Sequence, residues 1–375
     1  MCDRREFLKG LSGAALGIAL SGREPVKLAL TSIEVTNKRK RREVTVGGRR
    51  SLTVDVHSHV LVPEAWELIK DYKESEGFAS QRTNDIENDI HNVDARLARM
   101  NAEGIDMQAV GINPFWYWAP RDLAQQIVQL QNEKIAELCA AHPDRFVGLG
   151  AVALQYPELA AQQLDQAVNR FGLRGCLIGA SVQGVELSSP EFDPFWDKAE
   201  QLGALVFMHP QNTPPDPLSG IRARLGGNGW LTNVIGHPLE TTIALSHLVQ
   251  EGVLDRFPNL KLCAAHGGGY LPSYAGRNDQ CLVAFPKDCK PLKKKPSEYL
   301  KQVYFDSLVF TGEGLRHLAA TVGASQVLLG TDFPTRWNPN GVDHVLGTPE
   351  LSDDDKRAIL GRNAARLLRI SSELL

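Results

Sequence analysis

Four apolar runs in this chain each stop at a histidine or an aspartate. They are Val54-Asp55-Val56-His57-Ser58-His59, Val206-Phe207-Met208-His209, Leu262-Cys263-Ala264-Ala265-His266 and Val327-Leu328-Leu329-Gly330-Thr331-Asp332. Side chains on a strand alternate faces with period two, so His57 and His59 point the same way. Alone, two histidines on one face of a strand are no more than polar groups that water or a hydrogen bond satisfies. Strands that repeatedly deliver metal-competent residues at their C-terminal ends are what a (β/α)8 barrel with a metal at its catalytic mouth requires.

The rest of the chain supports that architecture. Strand patterns fall near 52–57, 107–112, 146–151, 174–178, 204–208, 260–265, 302–306 and 326–330. Helical patterns lie between them, over Asp94–Glu103, Leu123–Ala141, Pro157–Arg170, Pro194–Leu202, Glu240–Glu251 and Gly314–Val322, with more near 352–370. Eight strands alternating with helices predict an α/β fold, a parallel (β/α)8 TIM barrel. A doubly wound sheet is the alternative, and the lack of G-x-G-x-x-G after the first strand counts against its dinucleotide-binding form.

With 375 residues, 43% of them hydrophobic, the chain holds one barrel of about 250 residues plus insertions. A net charge of −3 gives no reason to expect nucleic acid as a partner. No stretch beyond the N-terminus is long and apolar enough to span a bilayer, so no stable membrane association is expected. Arg4-Arg5-Glu6-Phe7-Leu8-Lys9 precedes a short uncharged run from Gly10 to Leu20, with small residues following. Residues 1–22 therefore read as a twin-arginine-type signal peptide, which predicts a periplasmic or secreted protein; a cytoplasmic N-terminal helix is the alternative. Residues 23–50 carry Lys38-Arg39-Lys40-Arg41-Arg42 and no periodicity, and read as a basic linker outside the fold, leaving 51–375 for the barrel. The six cysteines show no C-x-x-C pair. Cys139, Cys176 and Cys263 sit in apolar patterns as small buried hydrophobes, while Cys281 and Cys289 are close enough in sequence to bridge in an oxidising compartment, although nothing in the sequence demands it.

His57, His59, His209 and Asp332 together offer three neutral nitrogens and one carboxylate. That set suits a single divalent ion, Zn2+ first and Mn2+ second, with a position left for water. Such an ion lowers the pKa of a bound water or polarises a substrate oxygen. His266 is followed by Gly267-Gly268-Gly269, which lets backbone and substrate approach and leaves its imidazole accessible for proton transfer.

From about Leu52 to Ile370 the chain resembles the amidohydrolase superfamily, and within it the aminocarboxymuconate-semialdehyde decarboxylase family. The resemblance is carried by His57-Ser-His59, Arg145-Phe-Val-Gly-Leu-Gly150, His209-Pro210, Glu240-Thr-Thr-Ile-Ala244, His266-Gly-Gly-Gly269, Gly276-Arg277 and Gly330-Thr-Asp-Phe-Pro334. It implies that His57, His59, His209 and Asp332 bind the metal and that His266 handles protons beside the metal water. It also implies a homodimer in which Arg277 crosses to the neighbour's substrate carboxylate. Arg174-Gly-Cys-Leu-Ile178 ends without the lysine that bridges two metals in binuclear relatives, which favours a mononuclear site. The decarboxylase that names the family has a basic hairpin after its first strand; here Glu76–His91 is shorter and offers Arg82 alone, so a different substrate is expected.

Asn113-Pro-Phe-Trp-Tyr-Trp118 follows the second strand and packs four aromatics into one loop, making Phe115, Trp116 and Trp118 candidates for a substrate wall. Pro214–Trp230 reads as a cap over the barrel mouth. His91, His142, His237, His247, His317 and His344 read as structural, with His237 the weakest case because it lies near the cap. The expected activity is metal-dependent, non-oxidative decarboxylation of a small aromatic or unsaturated carboxylic acid, with His266 and Asp332 as catalytic groups. Hydrolysis of an ester, lactone or amide on the same site is the alternative. A non-catalytic periplasmic binding protein is a third reading, opposed by the retention of all five polar groups.

Overall fold

The structure is a computed structural model that describes residues 41–75, 78, 87–211, 224–335, 337 and 340–371. The proposed signal peptide and most of the basic linker, Arg82, and most of the expected cap lie outside the described residues.

Eight parallel strands follow the expected order. They are β1 (Val54–His59), β2 (Met107–Gly111), β3 (Phe146–Gly148), β4 (Gly175–Gly179), β5 (Leu205–His209), β6 (Lys261–Ala264), β7 (Tyr304–Asp306) and β8 (Val327–Leu328). Strands β1 to β3 pair in sequence order, and β4 to β8 form a second run with the same order. The two runs join where Gly150 bridges Cys176, and they close where Ser58 bridges Phe333 and the Val56 amide donates to the Leu329 carbonyl at 2.9 Å. The result is a closed barrel.

One hydrophobic cluster takes Val54 and Val56 from β1, Met107 and Ala109 from β2, Leu177 from β4, Leu205 and Phe207 from β5, Cys263 from β6 and Leu328 from β8. Residues drawn from all around the ring can meet only inside it, so this cluster fills the barrel interior. The alternate positions, including Val110, Cys176, Ile178, Val206, Met208 and Leu262, join the larger cluster beneath the helices. Helix Arg121–Ala141 shows why the helices dock: Ala124, Ile127, Val128, Gln131, Ile135 and Leu138 recur at three- and four-residue spacing and are buried. A register irregularity between Asp55 and Ser58 interrupts the alternation of β1, so Asp55 bonds to Gln108 while His57 and His59 serve the mouth.

The expected linker boundary needs correction. Thr45–Val46 pairs with Arg49–Arg50 in a hairpin turned by Gly47 and Gly48, at φ 58° and 73°. Val44 and Val46 are buried in the outer core, and the Arg50 guanidinium meets the buried Asp106 carboxylate at 2.7 Å. The valines between the charges bury enough apolar surface to make the end of this stretch part of the domain.

Candidate metal centre

Strand ends deliver the four candidate ligands to one place. One ligand atom from each of His57, His59, His209 and Asp332 lies within 4.8 Å of the others, and all four residues are buried. The His59 ring centroid is 4.8 Å from that of His209 and 5.1 Å from that of His57. Asp332 Oδ1 lies 3.0 Å from His59 Nε2 and 3.2 Å from His57 Nε2. His57 Nε2, His59 Nδ1 and both nitrogens of His209 are buried without a hydrogen-bond partner. Buried polar atoms left in this state are costly, and a cation held by one nitrogen of each ring would relieve part of that cost.

Electrostatics favour positive charge there. Burial disfavours charge on His57, but Asp332 and Asp306 outweigh it and hold its pKa up at about 10. Burial also works against ionised Asp332, yet His57 and His59 keep it well below the usual carboxylate range. Burial, then the neighbouring His59 and His57, hold His209 well below the ordinary imidazole value, so it offers a lone pair. Asp332 and Asp306, which hold a proton on His57 while burial disfavours charge on His59 and His209, would attract a divalent cation by the same forces, and metal binding would displace that proton. The donor set therefore fits one divalent ion.

The ligands are oriented by groups that the strand-end pattern did not single out. Asp306, at the end of β7, accepts from His57 Nδ1 at 2.6 Å, from the His266 amide at 2.9 Å, from the Gly267 amide at 2.8 Å and from the Leu308 amide at 3.1 Å. This contact holds the proton of His57 on Nδ1, donated to the carboxylate, and turns Nε2 toward the cluster. Gly330 makes the approach feasible, because a Cβ there would lie 2.7 Å from Asp306 Cβ and 3.1 Å from His57 Cβ. On the other side of β1, Asp55 accepts from the His57 amide at 3.1 Å, the Thr331 amide at 3.1 Å and the Thr331 hydroxyl at 2.7 Å. That carboxylate ties β1 to the loop carrying Asp332. Arg96 completes the support by donating to the His59 carbonyl and, at 2.9 Å, to Gln108.

His266 borders the ligand cluster, its ring 5.3 Å from His57 and 5.2 Å from His209. Burial drives its pKa down to about 4, with His57 adding to the push and Asp332 and Asp306 opposing it. At neutral pH it is therefore a neutral imidazole, able to accept a proton. His266 and Asp332 adopt left-handed backbone, at φ 56° and 58°, a conformation that costs energy in residues with a side chain and gathers at active sites. Gly269 at φ 65° has a different constraint, since a Cβ would sit 2.1 Å from the Pro238 carbonyl oxygen.

A cavity of about 450 Å³ opens beside the cluster, with His266 and Asp332 in its wall together with His237, Tyr270, Phe310 and Trp337. Two expectations change here. His237 and His317, read from sequence as structural, line this cavity. The aromatic loop does not line it. Phe115 and Trp116 are buried in the outer core, with Phe115 against Phe78 and the Trp116 indole donating to the Val152 carbonyl at 2.9 Å, while Trp118 packs on Tyr72. Aromatic area that large gains more from packing under the helices than from waiting at a mouth. Arg277 is exposed on helix Ala275–Ala284, outside the cavity wall.

A sequence model of amidohydrolases matches residues 54–370. The chain belongs to the amidohydrolase family. At 32% identity over 339 residues, covering 85% of this chain and 92% of the relative, this amidohydrolase is similar to the 2-amino-3-carboxymuconate-6-semialdehyde decarboxylase of Dictyostelium discoideum. The solved 5-carboxyvanillate decarboxylase from Sphingomonas paucimobilis matches with a TM-score of 0.73 at 25% identity, over 85% of this chain and 99% of that one. A dihydroxybenzoic acid decarboxylase from Polaromonas, solved with bound manganese and the inhibitor 2-nitroresorcinol, matches with a TM-score of 0.70 at 25% identity, over 87% and 99%.

Proposed function

We propose that this amidohydrolase is a metal-dependent, non-oxidative decarboxylase of a small aromatic or unsaturated carboxylic acid. The observation that carries the reading is the four-ligand cluster beside His266, with Asp332 and His266 in the wall of one largely apolar cavity. The decarboxylases it resembles point to the same chemistry.

His57, His59, His209 and Asp332 would hold one divalent ion, which supplies positive charge to draw in the acid and to stabilise negative charge that builds next to the departing carboxylate. Three imidazoles and a carboxylate suit zinc, and manganese is the ion in the Polaromonas relative. The chain's own groups do the rest. Losing CO2 leaves an electron pair on carbon, which a proton must meet. Of the titratable groups in the wall, His266 and Asp332 adjoin the ligand cluster and would move it, and Asp306 holds His57 and the His266 amide in register. The apolar wall excludes water and strengthens each of these interactions.

Two further expectations belong to this reading. Arg277, with Tyr274, Val283 and Phe285 exposed on or just beyond the same helix, would form part of a homodimer face and reach the neighbour's substrate carboxylate. The twin-arginine signal would export the folded protein; replacing Arg4 and Arg5 with lysine should leave it unprocessed in the cytoplasm, and unchanged localisation would refute export.

The test of the activity is CO2 release from a panel of hydroxylated benzoates and unsaturated acids, before and after removal of metal with a chelator. Metal-dependent CO2 release is expected. Hydrolysis of esters or lactones without CO2 release from any acid would replace this reading with the hydrolase one.

A further inference from the structure

Away from the metal centre, the described residues bring two thiols together. Cys281 lies in helix Ala275–Ala284 and Cys289 follows that helix, and their sulfurs are 3.0 Å apart. Both are partly accessible, whereas Cys176 and Cys263 are buried in the core. Burial pushes the thiols of Cys139, Cys176 and Cys263 upward, which keeps them protonated and unreactive. The proximity of its two sulfurs, and not acidity, sets the pair apart from the other described cysteines, since the contact with Cys281 raises the Cys289 thiol as well.

A disulfide has sulfurs about 2.05 Å apart, so a movement of roughly 1 Å closes this one. Thiols that are not aimed at each other need backbone movement to bridge, and here the backbone already converges. The Phe285 amide donates to the Cys281 carbonyl at 2.8 Å and the Asp288 amide to the Phe285 carbonyl at 3.0 Å, folding the chain back on the helix end. Beyond Cys289 the segment is pinned, with Lys290 Nζ donating to the Glu251 carbonyl at 2.9 Å and the Lys293 amide to Asp255 at 3.1 Å.

We infer that Cys281 and Cys289 form an intrachain disulfide that fastens the end of this helix to the lysine-rich segment behind it. The step balances with a disulfide oxidant: one cysteine attacks oxidised glutathione and releases one glutathione thiol, the other attacks the mixed disulfide and releases the second, and two protein thiols become one S–S bond. In an oxidising compartment the bond persists, and in a reducing one the pair stays as thiols. The consequence reaches the rest of the molecule through geometry. Arg277 precedes Cys281 by four residues and so lies on the same helix face, one turn away. The bridge would steady the helix that presents Arg277. The bond itself requires neither the decarboxylase reading nor the dimer.

The test incubates the full-length native protein with oxidised glutathione, then denatures it, alkylates the thiols and measures mass. Two fewer alkylated cysteines than in the reduced protein are expected, with a proteolytic fragment pair joined through Cys281 and Cys289. Cys281→Ser should instead carry one glutathione on Cys289 and show no cross-link. Full alkylation of every cysteine, or glutathione on both residues without a cross-link, would overturn the inference. A loop this short predicts a shift on the order of 10²-fold in the unfolding equilibrium between oxidised and reduced protein. Reduced protein should match the Cys281→Ser/Cys289→Ser variant, and identical stability of oxidised and reduced protein would remove the fastening role.

Discussion

Replacing Asp306 with asparagine keeps the volume of the side chain and removes its charge and one acceptor oxygen. In the native protein Oδ2 accepts from His57 Nδ1 and the His266 amide, and Oδ1 accepts from the Gly267 and Leu308 amides. An asparagine can serve one of these pairs, and its NH2 then faces two donors. Hydrogen bonds to a charged group contribute roughly 1.5–3 kcal/mol each, so two lost contacts cost about 3–6 kcal/mol before any relaxation. That is a large part of the roughly 5–15 kcal/mol that holds a domain folded. Loss of an orienting partner should also weaken metal binding by roughly 10- to 100-fold. The assay is a metal titration against a competing chelator, paired with denaturant unfolding of the metal-free protein. The pH dependence adds a second check. Burial opposes ionisation of Asp306, but the His57 contact prevails and lowers its pKa. Its contribution is therefore present above the unfolded-state value near about 4 and lost as pH falls through the lowered folded value. The stability gap between native protein and Asp306→Asn should narrow on acidification. Native metal affinity in the variant, or a gap that does not change with pH, would refute this account of Asp306.

Other outcomes follow from the same geometry. His266→Gln should keep its metal and lose roughly 10²- to 10⁴-fold in rate, the usual worth of a proton-transfer group; loss of metal would place His266 among the ligands. Gly269→Ala should lower the melting temperature sharply, because its Cβ would fall 2.1 Å from the Pro238 carbonyl oxygen at a positive φ; an unchanged melting temperature would contradict the packing. On the proposal that Arg277 serves the neighbour's site in a homodimer, mixing inactive His209→Ala and Arg277→Ala proteins under confirmed subunit exchange should restore activity, since one site in each heterodimer would be whole; no recovery would confine Arg277 to its own chain or to no role.

The barrel was legible because its strands are buried on both faces and so stand out as short apolar runs between helices of 3.6-residue period. His57, His59, His209 and Asp332 were legible because each interrupts such a run at its C-terminal end. Asp306 carries the same mark in Tyr304-Phe305-Asp306, but the run is too short to rise above background. Asp55 could not be found by periodicity, since the irregularity in β1 moves it off the face that alternation assigns. His237 and His317 lie on helices packed around the mouth, and only the tertiary arrangement shows that both reach the cavity. The aromatic loop misled for the opposite reason: Phe115 and Trp116 sit at the correct strand end and then turn into the core.

Elemental analysis of active protein, together with His209→Ala, is the most direct test of a single metal centre. The geometry predicts about one divalent ion per chain in the native protein, and almost none in the variant, which loses a ligand having both ring nitrogens directed at no other partner. Active protein that holds no metal, or holds two ions per chain, would contradict it.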